Sequence, residues 1–184
     1  MANAFIGWFD SGSTVALVVT VWLFFYAVAI AWIFLYRYFF LKAWLKRETD
    51  SAQSLLSGDD QMDTQSALYP CARKGLNPPL MKACYDSAVK ESTSGLTTLS
   101  AIASTSPFVG LFGTVVGVLQ AFAGFKEGVT LSIIAPAISE ALVVTAMGIV
   151  VAVPAYWAHL VLKRKAYEVA NALKIQIDIA AARA

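Results

Sequence analysis

The chain has 184 residues, of which 58% are hydrophobic and only 14% are charged. A typical soluble domain carries about 25% charged residues, so this composition excludes an ordinary soluble domain. The net charge of +2 is too small to indicate nucleic-acid binding, and the apolar residues are concentrated in long runs. These runs predict an all-α, polytopic membrane protein whose helices contact membrane lipids.

The first apolar run predicts a transmembrane helix over residues 14–40. Residues 1–13 lack the basic region of a cleavable signal peptide, and we expect them in the periplasm. Basic residues follow the run closely, beginning with Arg37 and Lys42. Because positive residues favour the cytoplasmic side, this arrangement predicts a helix that starts outside and ends in the cytoplasm.

The next segment, residues 41–98, is more polar, and we interpret it as a cytoplasmic helical loop. It is short for an independent catalytic domain. Cys71 and Cys84 lie in this segment without a C-x-x-C pair, and the single histidine, His159, is far from both in the sequence. We therefore expect no metal site, and we expect both thiols to stay reduced, as is usual in the cytoplasm.

The second apolar run predicts a transmembrane helix over residues 99–125 that is rich in small residues. Gly113 and Gly117 form a small-xxx-small pair, a pattern that permits close helix approach in lipid. Gly110 joins them as a candidate packing residue. Ordinary helix packing explains this pattern as well as a functional face does.

Residues 126–130 form a predicted periplasmic turn, so the second and third helices would make a tight hairpin. The third run predicts a transmembrane helix over residues 131–162, continued by a cytoplasmic C-terminal helix over residues 163–184 that begins with a basic cluster. At about 1.5 Å per residue, the long second and third helices are expected to extend into the cytoplasm. Pro107 and Pro154 are candidate kinks.

One carboxylate, Glu140, stands in an otherwise apolar or small segment of the third run. A charge at bilayer depth costs roughly 2.5–3.5 kcal/mol, so such a group usually has a function. Two other interpretations remain: Glu140 lies near the water interface, or it is neutral and hydrogen-bonded to a neighbouring helix.

Residue counting from the hairpin gives the relative depth of the polar groups. Thr114 and Glu140 are expected within one helical turn of each other, with Thr145 about 7 Å deeper. Thr145 shares its helix face with Ala141 and Gly148, whereas Glu140 lies about 140° around the helix. Because three spans cannot easily enclose an aqueous path, these faces predict a homo-oligomer whose inner surface they line.

These residues resemble the proton-channel family of ExbB and TolQ, which is related more distantly to MotA. The resemblance rests on SPFVGLFGTVVGV at residues 106–118, ISEALVVTAMG at residues 138–148 and AVPA at residues 152–155. It covers the second and third predicted spans. The first span and the loop agree in layout more than in residues.

The resemblance implies a proton-channel and stator subunit of an inner-membrane motor driven by the proton motive force. Members of the family form pentamers around a dimer of single-span partners of the ExbD or TolR type, and their work reaches the outer membrane through a TonB- or TolA-type protein. It also implies that Thr114, Glu140 and Thr145 lie near the proton path. The protonated aspartate would belong to the partner, and no cofactor other than the transported proton is implied.

The subtype and the function have alternatives. The predicted periplasmic N-terminus is short, as in TolQ, but the cytoplasmic portions are shorter than in typical TolQ. A MotA-type stator would need four spans. The alternative function is a non-conducting membrane scaffold that clasps a single-span partner helix. An enzyme is not expected, because the apolar runs hold no Ser-His, paired-aspartate or metal-ligand constellation.

Overall fold

The computed structural model describes residues 14–58, 62–75, 77–123 and 131–183, apart from the side chains of residues 131–134 and 183. Within these ranges all the regular structure is helical, which confirms the all-α prediction. The helices are α1 (Thr14–Leu56), α2 (Tyr69–Ala72), α3 (Pro78–Ser92), α4 (Leu96–Ala123) and α5 (Leu131–Arg183).

The long helices carry large apolar side chains on their exposed surfaces. Phe24, Phe25 and Trp32 of α1 are 71%, 70% and 75% exposed. Soluble monomers rarely expose broad apolar surfaces, because each Å² of apolar area left in water forgoes about 25 cal/mol. Among the described residues, three stretches are long and apolar enough to cross a membrane, namely Thr14–Leu56, Pro78–Ala123 and Ala135–Ala182. The chain is therefore a multi-pass membrane protein.

The helices continue past the segment boundaries that the sequence suggests. α1 continues beyond residue 40 as far as Leu56, and α5 continues through residue 162 without a break. Apolar and polar stretches thus belong to the same helices, since backbone hydrogen bonding does not require a uniform surface. Residues 1–13 and the expected turn at residues 126–130 lie outside the described residues.

The chain divides into two compact units. The first unit comprises Met1–Trp32 and Thr98–Ala158. Its buried cluster includes Val19 and Leu23 from α1 and Val144 from α5. Dense packing of these aliphatic side chains holds the first part of α1 against α5.

The second unit comprises Ile33–Thr97 and His159–Ala184. Its interior combines leucines from α1, from α5 and from the segment that precedes α2. The fully buried leucines of this unit are Leu41, Leu68, Leu162 and Leu173.

A fully buried carboxyl group, that of Glu48, lies at the centre of a hydrogen-bond network in the second unit. Its Oε1 atom accepts bonds from Trp44 Nε1 and from the backbone N–H of Ala67, both at 2.9 Å. Its Oε2 atom accepts a bond from Gln176 Nε2 at 2.9 Å and lies 2.9 Å from Ser66 Oγ. Because buried polar groups are costly when unpaired, this network fixes α1, α5 and the segment before α2 in one arrangement.

A side chain of α1 caps the C-terminal end of α3. Arg37 Nη2 donates to the carbonyl oxygens of Glu91 at 2.9 Å and Ser92 at 2.7 Å. The last carbonyls of a helix have no partner within it, so this cap satisfies two of them. Gly95 follows with a φ of +80°, a left-handed conformation that suits glycine, and α4 begins at the next residue.

The expectation that both thiols stay reduced is wrong in this structure, because a disulfide bond joins Cys71 of α2 to Cys84 of α3. Their Cα atoms are 6.6 Å apart, within the usual range of about 4.4–6.8 Å for a disulfide. The physical reason is that the folded chain brings α2 next to α3. α2 and α3 contact each other, and the sequence spacing of the two cysteines does not indicate this contact.

We expect the substitution Glu48→Ala to lower the thermal stability of the purified protein strongly. The donors of Trp44, Ala67 and Gln176 would lose their acceptor inside the core. Each buried donor without a partner costs about 1–3 kcal/mol. Thermal unfolding in detergent, followed by tryptophan fluorescence, measures the change in Tm.

The matched control is Glu168→Ala. Glu168 pairs with Arg164 and Lys165 at 3.1 Å on a partly exposed surface, where ion pairs contribute about 0–1 kcal/mol. We expect a small change in Tm for this variant. Equal losses for the two variants would contradict a central role for the Glu48 network.

Candidate functional site

The candidate site lies in the first unit, where α4 and α5 approach each other to backbone contact. A Cβ atom added to Gly148 would lie 2.7 Å from the carbonyl oxygen of Ser106 and 3.1 Å from Gly110 Cα. A Cβ atom added to Gly110 would lie 3.0 Å from Thr145 Cα. These distances leave no room for a side chain, so glycine allows the two backbones to meet here.

The close contact continues along α4 towards its C-terminal end. A Cβ atom on Gly113 would lie 2.7 Å from Val144 Cγ1, and one on Gly117 would lie 3.0 Å from Ala141 Cβ. The small residues that the sequence singles out therefore all lie where α4 meets α5: Gly110, Gly113, Gly117, Ala141 and Gly148.

Two threonine hydroxyls meet beside this contact. Thr114 Oγ1 of α4 and Thr145 Oγ1 of α5 are in short hydrogen-bonding contact. Both also lie near the carbonyl oxygen of Gly110, at 3.2 Å from Thr114 and 3.0 Å from Thr145. Each hydroxyl has one proton, so two protons serve these three contacts. Either hydroxyl can donate to the other while the other donates to the carbonyl oxygen.

Glu140 is partly buried on α5, separate from the threonine pair. Its Oε1 atom is buried and has no hydrogen-bond partner among the residues that the structure describes. A carboxyl oxygen without a hydrogen bond in an apolar setting is unfavourable, and the contacts of the described residues do not explain its presence.

The depths derived from the sequence are wrong by about one helical turn. Residue counting placed Thr114 within one helical turn of Glu140 and placed Thr145 about 7 Å deeper. The structure places Thr114 against Thr145, and the residue of α4 that meets Ala141, next to Glu140, is Gly117. The counting assumed that the two helices end at the same height. The contacts instead indicate that α5 extends about one turn beyond the described end of α4.

The two candidate kink residues lie within the helices that build the site. Pro107 is inside α4 and Pro154 is inside α5, and both helices continue through them. Neighbouring groups in a membrane protein can compensate for the backbone hydrogen bond that proline removes. A bend at either residue stays a prediction.

Sequence reasoning missed one member of the site, the carbonyl oxygen of Gly110. A backbone acceptor carries no residue-type signal, and only the close approach of Thr145 reveals its role. The site thus offers hydroxyl oxygens that donate and accept hydrogen bonds, and carbonyl and carboxyl oxygens that accept them. In the described part of the chain, no group of three or more His, Cys, Asp or Glu side chains is placed to hold a metal ion.

Comparisons with known proteins point to one family. A model of the MotA/TolQ/ExbB proton channel family matches residues 68–175. An ExbB-like protein of Helicobacter pylori is 40% identical over 185 aligned positions, which cover 97% of each chain.

Two further relatives match over shorter regions. ExbB of Pseudomonas putida is 48% identical over 68 residues, or 36% of this chain and 21% of that protein. TolQ of Haemophilus influenzae is 48% identical over 64 residues, or 33% of this chain and 28% of that protein. Both subtypes therefore match at the same level of identity.

We expect Gly148→Ala to disturb the packing of α4 on α5 more than Gly117→Ala does. The added methyl group at position 148 would lie 2.7 Å from the carbonyl oxygen of Ser106, so the backbone would have to shift. At position 117 the nearest atom to the added methyl group would be Ala141 Cβ, a side-chain atom at 3.0 Å. Overpacking of this kind costs typically 1–3 kcal/mol. Thermal unfolding in detergent measures the order, and a larger loss for Gly117→Ala would contradict the contact geometry.

Proposed function

The chain belongs to the MotA/TolQ/ExbB proton channel family, and we propose that it is the proton-channel and stator subunit of an inner-membrane motor of the ExbB–ExbD or TolQ–TolR type. In this role it uses the proton motive force to energise an outer-membrane process. The process is either Tol-Pal envelope maintenance or TonB-dependent uptake.

The observation that carries the proposal is the pair of threonine hydroxyls between α4 and α5. Thr114 and Thr145 share two protons with one carbonyl oxygen, so in either bonding pattern one hydroxyl both accepts a hydrogen bond and donates one, as the members of a proton-conducting chain do. A scaffold needs only close packing at this position, which the adjacent glycines already supply. Linked hydroxyls at an apolar helix interface therefore favour conduction over a purely structural role.

Glu140 has a separate role in the proposal. Its Oε1 atom is buried and has no hydrogen-bond partner among the described residues, and carboxyl groups in membrane helices commonly mark ion pathways. We assign it to the proton path together with the threonine pair. The protonated group that alternates between charged and neutral forms belongs to a single-span partner.

The assembly in this proposal is a homopentamer that encloses a dimer of an ExbD- or TolR-type partner. The exposed apolar side chains of the first unit, such as Phe108, Phe112 and Val150, provide surfaces for lipid, neighbouring copies and the partner. The N-terminus lies in the periplasm and the C-terminus in the cytoplasm, which agrees with the basic residues after the first apolar run and at residues 163–165. A TonB- or TolA-type protein transmits the work outwards.

We expect Glu140→Gln and Thr145→Val to abolish proton flux in liposomes that contain this protein and its single-span partner. The first variant keeps the size of the side chain but removes the titratable group, and the second removes one of the two hydroxyls. A pH-sensitive dye inside the liposomes measures the flux under an imposed membrane potential. Size-exclusion chromatography checks that each complex still assembles.

The control is Thr20→Val. Thr20 is buried in the same unit, and its hydroxyl donates only to Ala16 within α1, at 2.8 Å. We expect normal flux from this variant. Wild-type flux from both Glu140→Gln and Thr145→Val would contradict the proposed path, and no flux from the wild-type complex would favour the scaffold.

We expect native mass spectrometry of the detergent-purified complex to detect five copies of this chain with two copies of the partner. The partner to co-express is the single-span protein encoded beside this chain. A closed ring with an axial partner requires repeated heterologous contacts between identical chains. A stable monomer or dimer that takes up no partner would contradict the proposed assembly.

A further inference from the structure

We infer that Cys71 and Cys84 form a reversible thiol–disulfide exchange site that controls how the segment around α2 is held on α3. The inference rests on the proposed function in one respect, the cytoplasmic position of residues 41–98. Its chemistry is independent of proton conduction.

The two cysteines are placed for exchange with small thiols. The disulfide joins α2 to α3, and both residues are partly exposed. An exposed disulfide can be attacked by a thiolate from solution, unlike one inside a core. Disulfides in a reducing compartment are usually transient or redox-sensing, so a cytoplasmic position favours a reversible role.

The bond connects two pieces of chain that are anchored at different places. Before α2, Ser66 and Ala67 are hydrogen-bonded to Glu48. At its far end, α3 is capped by Arg37. Between these anchors, the covalent link from Cys71 to Cys84 restrains the connection from α2 to α3.

Opening this link leaves α2 with little to hold it in place. α2 has only four residues, far fewer than an isolated helix needs to be stable. Gly75, in the connection to α3, has a φ of +120° and an open environment around its Cα. The reduced form is therefore expected to have greater freedom in α2 and in residues 73–75 that follow it.

A groove on the second unit is lined by a residue adjacent to Cys84. α3 and the C-terminal part of α5 line a groove of about 380 Å³, with Met81, Tyr85 and Ile177 among its walls. Tyr85 follows Cys84 directly in α3.

The exchange balances with a low-molecular-weight disulfide, such as glutathione disulfide, as the oxidant. The thiolate of one cysteine attacks that disulfide, forms a mixed disulfide and releases one thiol. The second cysteine then attacks the mixed disulfide and releases the other thiol. The two cysteines lose two electrons and two protons, and the small disulfide is reduced to two thiols. Reduction of the protein follows the reverse path.

The test uses the full chain in inside-out membrane vesicles, incubated with defined mixtures of glutathione and glutathione disulfide. After an acid quench, a maleimide–polyethylene glycol label counts the free thiols by gel shift. We expect two labels in reducing mixtures and none in oxidising mixtures, and two labels in acid-quenched resting cells. Two labels in every mixture would overturn the inference, and so would no labels in resting cells.

Two controls separate this site from other events. Cys71→Ser should carry one label in reducing mixtures, and under oxidation its remaining thiol can form only the mixed disulfide with glutathione, seen as one added glutathione in the protein mass. The oxidised wild-type chain should carry no added glutathione. A membrane-impermeant maleimide applied to reduced spheroplasts tests the proposed topology separately. Labelling from outside would refute the cytoplasmic position of these cysteines. The proton-flux assay tests conduction independently of this result.

A second measurement tests the conformational effect. Arg73 and Lys74 are exposed in the loop that the disulfide closes, so trypsin can cut there. We expect cleavage at these residues to be several-fold faster in the reduced protein, because local opening exposes backbone to proteases. Equal rates in the two forms would overturn the claim that the bond controls this segment.

Discussion

The backbone contact between α4 and α5 is the constraint on which the candidate site depends. Gly110 and Gly148 let the helices approach so closely that a methyl group on either would collide with the opposite backbone. At that separation the hydroxyls of Thr114 and Thr145 meet directly and share an acceptor. A wider spacing would leave each hydroxyl bonded only within its own helix, as Thr20 is in α1. The close packing of α4 on α5 therefore brings the two hydroxyls into hydrogen-bonding contact.

The two units differ in the hydrogen bonding of their buried carboxyl oxygens. Glu48 in the second unit accepts bonds at both oxygens, from the indole of Trp44, from a backbone N–H and from Gln176. Glu140 in the first unit has a buried oxygen without a partner among the described residues. A buried carboxyl group with hydrogen bonds to both oxygens stabilises one structure, whereas a buried carboxyl oxygen without a hydrogen bond lowers the stability of the fold. This contrast fits a structural role for Glu48 and a functional one for Glu140.

The sequence was sufficient for the all-helical class and the three long apolar helices, because length and hydropathy fix these features in a bilayer. It also drew attention to Thr114, Thr145 and the glycines through spacing. It did not give the register of α4 against α5, since that depends on where the hairpin closes. It missed the network of Glu48 and Gln176, because these residues are distant in sequence and carry no motif. The disulfide was missed for the same reason: contacts of α2 with α3 are tertiary.

The shared protons of the threonine pair have a consequence for directionality. The same oxygen atoms support two bonding patterns, one with Thr114 as donor to Thr145 and one with the donor and acceptor exchanged. Passing from one pattern to the other requires only rotation of the O–H bonds. In the proposed proton path, the pair therefore favours neither direction of transfer. Under that proposal, a preferred direction of proton transfer is set by groups outside the pair.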